Sequence, residues 1–317
     1  MQPSHGQRSI TSGLEPYAGP WTLNEVAHLL KRTMFGATRS DMDHFLAMTP
    51  GQAVDALLLI DKTPPEPPLK DYTNKDILAG DPDLQIPIGQ TWVDVFSPDA
   101  NANAKRQESL RAWWMLNMVE QDRTIREKMT LFWQGHFVTS VNDVGNARFS
   151  YRYNALLRAQ ATGNFKALTR AITLCPAMLN YLNGRYNTAG APDENYAREL
   201  MQLFTIGLYQ LNPDGTQMLS GGNPVPTYAQ ADVSQGARVW TGYTYATTDN
   251  TTPDRLRLPM IVNATNFETG ATNFLSINIP AASTPDAARK LALDGLFNHP
   301  NVPPFVSKQL IQHLVTS

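Results

Sequence analysis

The stretch Pro192-Asp-Glu-Asn-Tyr-Ala-Arg-Glu-Leu-Met-Gln-Leu-Phe-Thr-Ile-Gly207 decides how this chain is read. Pro192 and Asp193 suit a first helical turn, because proline gives up only an orphan N–H and an acid favours the positive dipole end. Gly207 is a natural stop, since glycine enters the left-handed region without steric cost. At about 100° per residue, Tyr196, Ala197, Leu200, Met201, Leu203 and Phe204 share an apolar face. Glu194, Asn195, Arg198, Gln202 and Thr205 fall opposite. Glu199 projects at the seam between Leu203 and Ile206, so its carboxylate is expected to be half buried and in need of a partner.

Working outward, the 317 residues are 42% hydrophobic, enough for a large core, and carry a net charge of −2. That balance offers no electrostatic footprint for nucleic acid. No apolar run approaches the roughly 20 residues that span a bilayer. The lone Cys175 excludes an intramolecular disulfide framework and a cysteine-cluster zinc site, and its place before Pro176 suits an inert packed thiol. Residues 1–20 read as a disordered leader without a signal-peptide core.

Helices follow at Thr22–Phe35, with Thr22 and Glu25 as a capping box, then at Thr38–Met48 and Pro50–Leu59. His28 lies on the polar side of the first. The tract Thr63-Pro-Pro-Glu-Pro-Pro68 opens a surface excursion spanning residues 61–98. Beyond it, helices are expected at Ala104–Gln121, Thr124–Thr139, Ser150–Ala161, Phe165–Leu174 and Pro176–Leu182. On the wheel of Thr124–Thr139, His136 falls among Ile125, Met129, Phe132 and Trp133, in the most apolar arc. An imidazole there must find hydrogen-bond partners. Trp113, Trp114 and Trp133 read as core.

After Gly207, Leu211–Pro226 reads as a loop. Thr227–Thr241 is expected to be helical, with Thr227 and Gln230 as a capping box. Short strands are expected at Tyr243–Thr247, Leu256–Val262 and Phe274–Ile279, within an insertion at residues 243–280. Helices resume at Thr284–Asn298 and Pro303–Val315. The fold class is therefore mainly α: a multi-helix globular bundle over residues 21–317 with a small β-containing insertion. No P-loop, dinucleotide fingerprint, nucleophile elbow or His-Glu-x-x-His motif occurs, so no cofactor is assigned.

Three segments carry a family resemblance: Leu29-Leu-Lys-Arg-Thr-Met-Phe-Gly-Ala-Thr38, Leu131-Phe-Trp-Gln-Gly-His-Phe-Val-Thr-Ser140 and Glu194-Asn-Tyr-Ala-Arg-Glu-Leu-Met-Gln-Leu-Phe204. With Asp232-Val-Ser-Gln-Gly-Ala-Arg-Val-Trp-Thr-Gly242 and Asn298-His-Pro-Asn-Val-Pro-Pro-Phe305, they resemble, in order, the bacterial family catalogued as domain of unknown function 1800. The resemblance implies a mostly helical exported protein, periplasmic or extracellular, and longer than this chain. On that comparison the C-terminus looks incomplete, and Leu310, Ile311, Leu314 and Val315 are expected to lack cover. The family often has histidines where Gln134 and Phe267 stand, with an acid at the position of Glu268. Without them two His and a carboxylate cannot be assembled from motif positions, and no metal site is assigned.

Two functional readings remain. In the first, His136 and Glu199 form a catalytic acid–base centre, with Glu194, Asn195 and Arg198 binding the substrate. In the second, the chain is a non-catalytic helical scaffold that docks an exported partner protein. The residues themselves also admit blander roles: a satisfied core histidine, an ion pair of Glu199 with Arg152 or Arg238, and a surface pair of Glu194 with Arg198.

Overall fold

The structure, a computed structural model, describes residues 15–61, 63–246 and 258–315. Most of the expected leader and parts of the strands expected at Tyr243–Thr247 and Leu256–Val262 lie outside those residues. Residues 15–20 are exposed and irregular. The protein is mainly α-helical, with only two-stranded sheets among the described residues.

Three short helices come first: α1 (Leu23–Thr33), α2 (Arg39–Leu46) and α3 (Pro50–Leu58). Each opens on a capping box: Thr22 with Glu25, Thr38 with Asp41, and Thr49 with Gln52. Val26, Leu30, Met34, Phe45, Ala53 and Leu57 close a small core of their own. His28 is exposed.

The described residues of 61–98 contain no α-helix, yet they are more than a surface run. Lys70, Asp83 and Trp92 are buried. Asp83 accepts from Lys70 Nζ at 2.9 Å, Arg106 Nε at 2.7 Å and Tyr72 Oη at 2.9 Å. This charge network pins the excursion to α4 (Ala100–Val119), which starts at an Asp99 cap, one turn before the expected Ala104.

α5 (Arg126–His136), α6 (Val141–Val144), α7 (Ala147–Ala159), α8 (Phe165–Ile172) and α9 (Pro176–Tyr181) then enter the main core. Trp133 is buried in it, whereas Trp113 and Trp114 are only half buried. Cys175 is buried there, and burial pushes its thiol up to about 11, as an inert thiol requires.

The organising stretch is not one regular helix. It begins as α10 (Asn195–Glu199) and continues as a π-helical turn over Leu200–Thr205. The Met201 carbonyl takes the N–H groups of both Ile206 and Gly207 at 3.0 Å. Such a widened turn rotates every residue after it relative to an α wheel. Leu203, expected inside, is 41% exposed, and Thr205, expected outside, is fully buried with its hydroxyl on the Leu200 carbonyl. Gly207 does end the segment, at φ +71°, and an added Cβ would lie 2.7 Å from the Phe305 ring.

The following segment, expected to be a loop, holds a small hairpin of β1 (Leu219–Ser220) and β2 (Asn223–Pro224). The helix expected from Thr227 is shorter. It is α11 (Gln230–Ala237), and Asp232 reaches back to the Ala229 N–H at 2.8 Å. Thr227 instead holds the Gly207 carbonyl. β3 (Tyr243–Thr244) pairs with β4 (Ile261–Val262). The strand expected at Phe274–Ile279 is broken by Leu275 and Ser276, both at positive φ, into a hairpin of β5 (Thr272–Phe274) and β6 (Ile277–Ile279).

α12 (Pro285–Phe297) and α13 (Val302–Leu314) complete the core. Ile311 and Val315 are exposed. Among the described residues no helix is long and apolar enough to cross a membrane.

Candidate functional site

His136 is the last residue of α5 and is 6% exposed. Its ring packs among Phe132, Trp133, Phe137 and Phe165. Both nitrogens are engaged: Nε2 lies 2.9 Å from the Phe204 carbonyl and Nδ1 lies 3.1 Å from Gln309 Oε1. A carbonyl only accepts, so Nε2 carries a proton. Burial lowers the imidazole pKa, and the two hydrogen bonds oppose that shift only in part. In the neutral ring Nδ1 is a lone pair, which calls for the Gln309 amide N–H to face it. The Gln309 amide nitrogen donates instead to the Phe305 carbonyl at 3.3 Å, a bond that turning the amide would give up. The amide orientation and the ring charge are therefore coupled.

Asn301, at the cap of α13, and Phe305 and Gln309 on its next two turns hold this end of the organising stretch. Asn301 donates to the carbonyls of Ile206 and Tyr209 and accepts the Leu211 N–H. Phe305 lies against Gly207, and Gln309 meets His136. Sequence reasoning missed all three, although their four-residue spacing is the mark of one helix face.

The His136 ring opens onto two adjoining clefts, of about 470 and 480 Å³. Gly135, His136, Gln309 and Gln312 line both. Gln202, Tyr209 and Lys308 add polar groups to one, and His313 adds an imidazole to the other.

Glu199 is not among the partners of His136. Its Oε2 is buried and has no hydrogen-bond partner among the described residues, and burial raises its pKa against the pull of Arg198. The arginines suggested for it are engaged elsewhere. Arg152 pairs with Asp94 at 2.6 Å, while Arg238 reaches Gln235 at 2.9 Å and Glu268 at 3.5 Å.

The expected substrate-binding group works as an inter-helix clasp. Glu194 accepts from Arg198 and Gln230, each at 2.7 Å, and from Ser234 at 2.5 Å. The Ser234 and Gln230 bonds hold its carboxyl below the ordinary range. These bonds tie α10 to α11. Asn195 donates to the Leu182 carbonyl at 3.3 Å, and Asp193 accepts the Asn195 N–H at 2.8 Å. Among the described residues no three His, Cys, Asp or Glu side chains cluster as a metal site would need.

The fold and site thus define a mainly helical protein with a buried, oriented histidine at the floor of a double cleft. Residues 28–317 match the family described as protein of unknown function, DUF1800, and the chain belongs to that family. No curated protein and no solved structure matches it.

Proposed function

We propose that the chain is an enzyme working by acid–base chemistry at His136, with Nδ1 as the atom that exchanges protons with a small polar substrate. One observation carries the reading: Nε2 is committed to a backbone carbonyl, whereas Nδ1 is met only by a side chain that lines both clefts. The Phe204 carbonyl takes the orienting part expected of Glu199. A substrate displacing Gln309 would find an imidazole of fixed tautomer, kept neutral near pH 7 by burial. Work outside the cytoplasm belongs to the same proposal, on the family resemblance.

A second reading is favoured by the satisfaction of both ring nitrogens and by the Glu194 clasp. In it these residues only fix helix register, and the chain is a scaffold for an exported partner. Histidine-selective ¹⁵N spectra across pH, joined to a hydrolase substrate screen, separate the two. The enzyme reading expects an Nε2–H tautomer, titration at Nδ1 below pH 6.5, and a loss of turnover of about 100-fold or more in His136→Gln. An Nδ1–H tautomer, or turnover untouched by that substitution in a variant of unchanged melting temperature, would leave the scaffold reading standing.

A further inference from the structure

The cleft of about 470 Å³ beside His136 has two unlike sides. Val138, Leu203, Leu208 and Tyr209 form the first, four large side chains left open together at 38% to 47% exposure. The π turn builds this side. A regular helix would turn Leu203 inward and leave Thr205 outside, and the widened turn exchanges them. Gly207, at φ +71°, then swings Leu208 and Tyr209 onto the same wall. The Leu208 carbonyl accepts the Thr227 N–H at 3.0 Å, and the Tyr209 carbonyl accepts from Asn301 Nδ2 at 3.0 Å, so the wall is set before anything binds.

The second side is polar without being charged. Gln202, Gln217, Gln309 and Gln312 line it. Gln202 Oε1 accepts the Tyr228 hydroxyl at 2.9 Å, which leaves its N–H groups as donors. Among the described residues no aspartate or glutamate lines either cleft. Lys308 Nζ donates to the Gly215 carbonyl at 2.9 Å, and its charge acts on Asp214. The imidazoles add no charge near pH 7. Burial lowers the pKa of His136, and burial with the Lys128 and Arg32 charges lowers that of His313.

Resting on the acid–base reading of His136, we infer that the substrate is an uncharged carboxylic ester with a short aliphatic acyl chain. The chain lies against Val138, Leu203 and Leu208, and the carbonyl oxygen points toward the amides of Gln202 and Gln312. An anion would find Lys308 already held at Gly215, and a cation would find no acid. A sugar would set hydroxyls against an aliphatic wall that cannot answer them. The volume falls in the roughly 300–1,000 Å³ range of small-molecule sites. Once the substrate displaces Gln309, Nδ1 takes a proton from water as the water oxygen bonds to the acyl carbon. The amide N–H groups meet the negative charge that develops on the carbonyl oxygen. The imidazolium returns the proton to the departing alkoxide as its bond to the acyl carbon breaks. One water is consumed, and a carboxylic acid and an alcohol leave.

The test uses the whole chain and two readouts. Binding is followed on the histidine ¹⁵N resonances with butyl methyl ketone, a neutral ester mimic that does not react, and with methyl glucoside. Turnover is followed as acid release from ethyl butyrate, anionic monoethyl succinate and cationic ethyl γ-aminobutyrate. The ketone is expected to move the His136 signals, and ethyl butyrate to exceed both charged esters in kcat/KM by about tenfold or more. Leu203→Asp, at an exposed position, should lower ketone affinity and ethyl butyrate turnover by about tenfold each. His136 signals unmoved by millimolar ketone in the parent chain, or no acid released from ethyl butyrate, would overturn the substrate class whichever variants fold. Equal turnover of a charged ester, or an equal shift with methyl glucoside, would overturn it too. In each of those cases a different substrate whose turnover is lost in His136→Gln would keep the acid–base reading. Ethyl butyrate turned over equally well by a folded His136→Gln would sink that reading, and this inference with it.

Discussion

Two buried acids in this protein sit among cations and end in opposite states. Asp83 has both oxygens occupied, by Lys70, Arg106 and Tyr72. Burial works to raise its carboxyl, and the Lys70 bond, the Arg106 charge and the Tyr72 hydroxyl together overcome it, so its pKa falls. Glu127 has Arg158 on one oxygen and, among the described residues, no hydrogen-bond partner on the other, and burial wins, so its pKa rises. A complete set of partners turns a buried charge into architecture; an incomplete one leaves free energy for something else to recover. The filled oxygens of Asp83 pin the proline-rich excursion, whereas Glu127 keeps one oxygen unmet among the described residues.

Asp83→Asn has the largest expected effect. Removing the one acid that neutralises Lys70 and Arg106 should cost about 3–5 kcal/mol, read by urea denaturation. The sign with pH is fixed as well. The folded pKa is lowered from 3.8, so the contribution is present above that value and is lost as pH falls through the folded one. The parent should therefore lose its advantage over the variant in acid. A loss under about 1 kcal/mol would mean that the network is not architectural.

Glu127→Gln sharpens the contrast. It should cost less than half as much, because one oxygen already lacks a partner. Its pH sign is reversed: the folded pKa is raised above 4.5, so ionisation weakens the fold as pH rises through that value. The variant should compare better with the parent at pH 7 than at pH 4, in melting curves at both. The same pH trend as Asp83→Asn would erase the distinction between the clusters.

His136 stands between the two, with both nitrogens partnered but one partner on a cleft. Its folded pKa is lowered from 6.5, so the unfolded chain takes up a proton first as pH falls. Its contribution is whole above pH 6.5 and is lost below it. His136→Gln should flatten the fall in melting temperature between pH 6.5 and the folded pKa. An unchanged slope would show that the imidazole does not feel its burial.

How far the sequence revealed this follows from range. Helix starts rest on contacts three residues apart, so Thr22 with Glu25 could be read directly. Apolar periodicity likewise placed His136 inside, because α5 is regular as far as that residue. Periodicity failed where the helix changed its pitch: the π turn after Glu199 exchanged the places of Leu203 and Thr205, and no local rule announces that. Partners distant in sequence were invisible. His136 meets Gln309 across 173 positions, and Asp83 meets Arg106 across 23 through a segment with no repeating pattern. Asn301 was missed for the same reason, since its acceptors lie more than 90 positions away.

Glu199 yields the smallest effect and the finest test of the comparison. Its Oε2 is buried without a partner, as in Glu127, yet no cation pairs with its other oxygen among the described residues. With its folded pKa raised above 4.5, ionisation weakens the fold progressively as pH rises through that value. Glu199→Gln should therefore melt slightly higher than the parent at pH 7, and the difference should close near pH 4. If the variant instead melts lower at pH 7, Glu199 has a partner in solution, and a ring nitrogen of His136 becomes a group to examine by the same ¹⁵N spectra. A higher melting point leaves Phe204 and Gln309 as the groups that set the imidazole, and the acid on the π turn as an unmet charge.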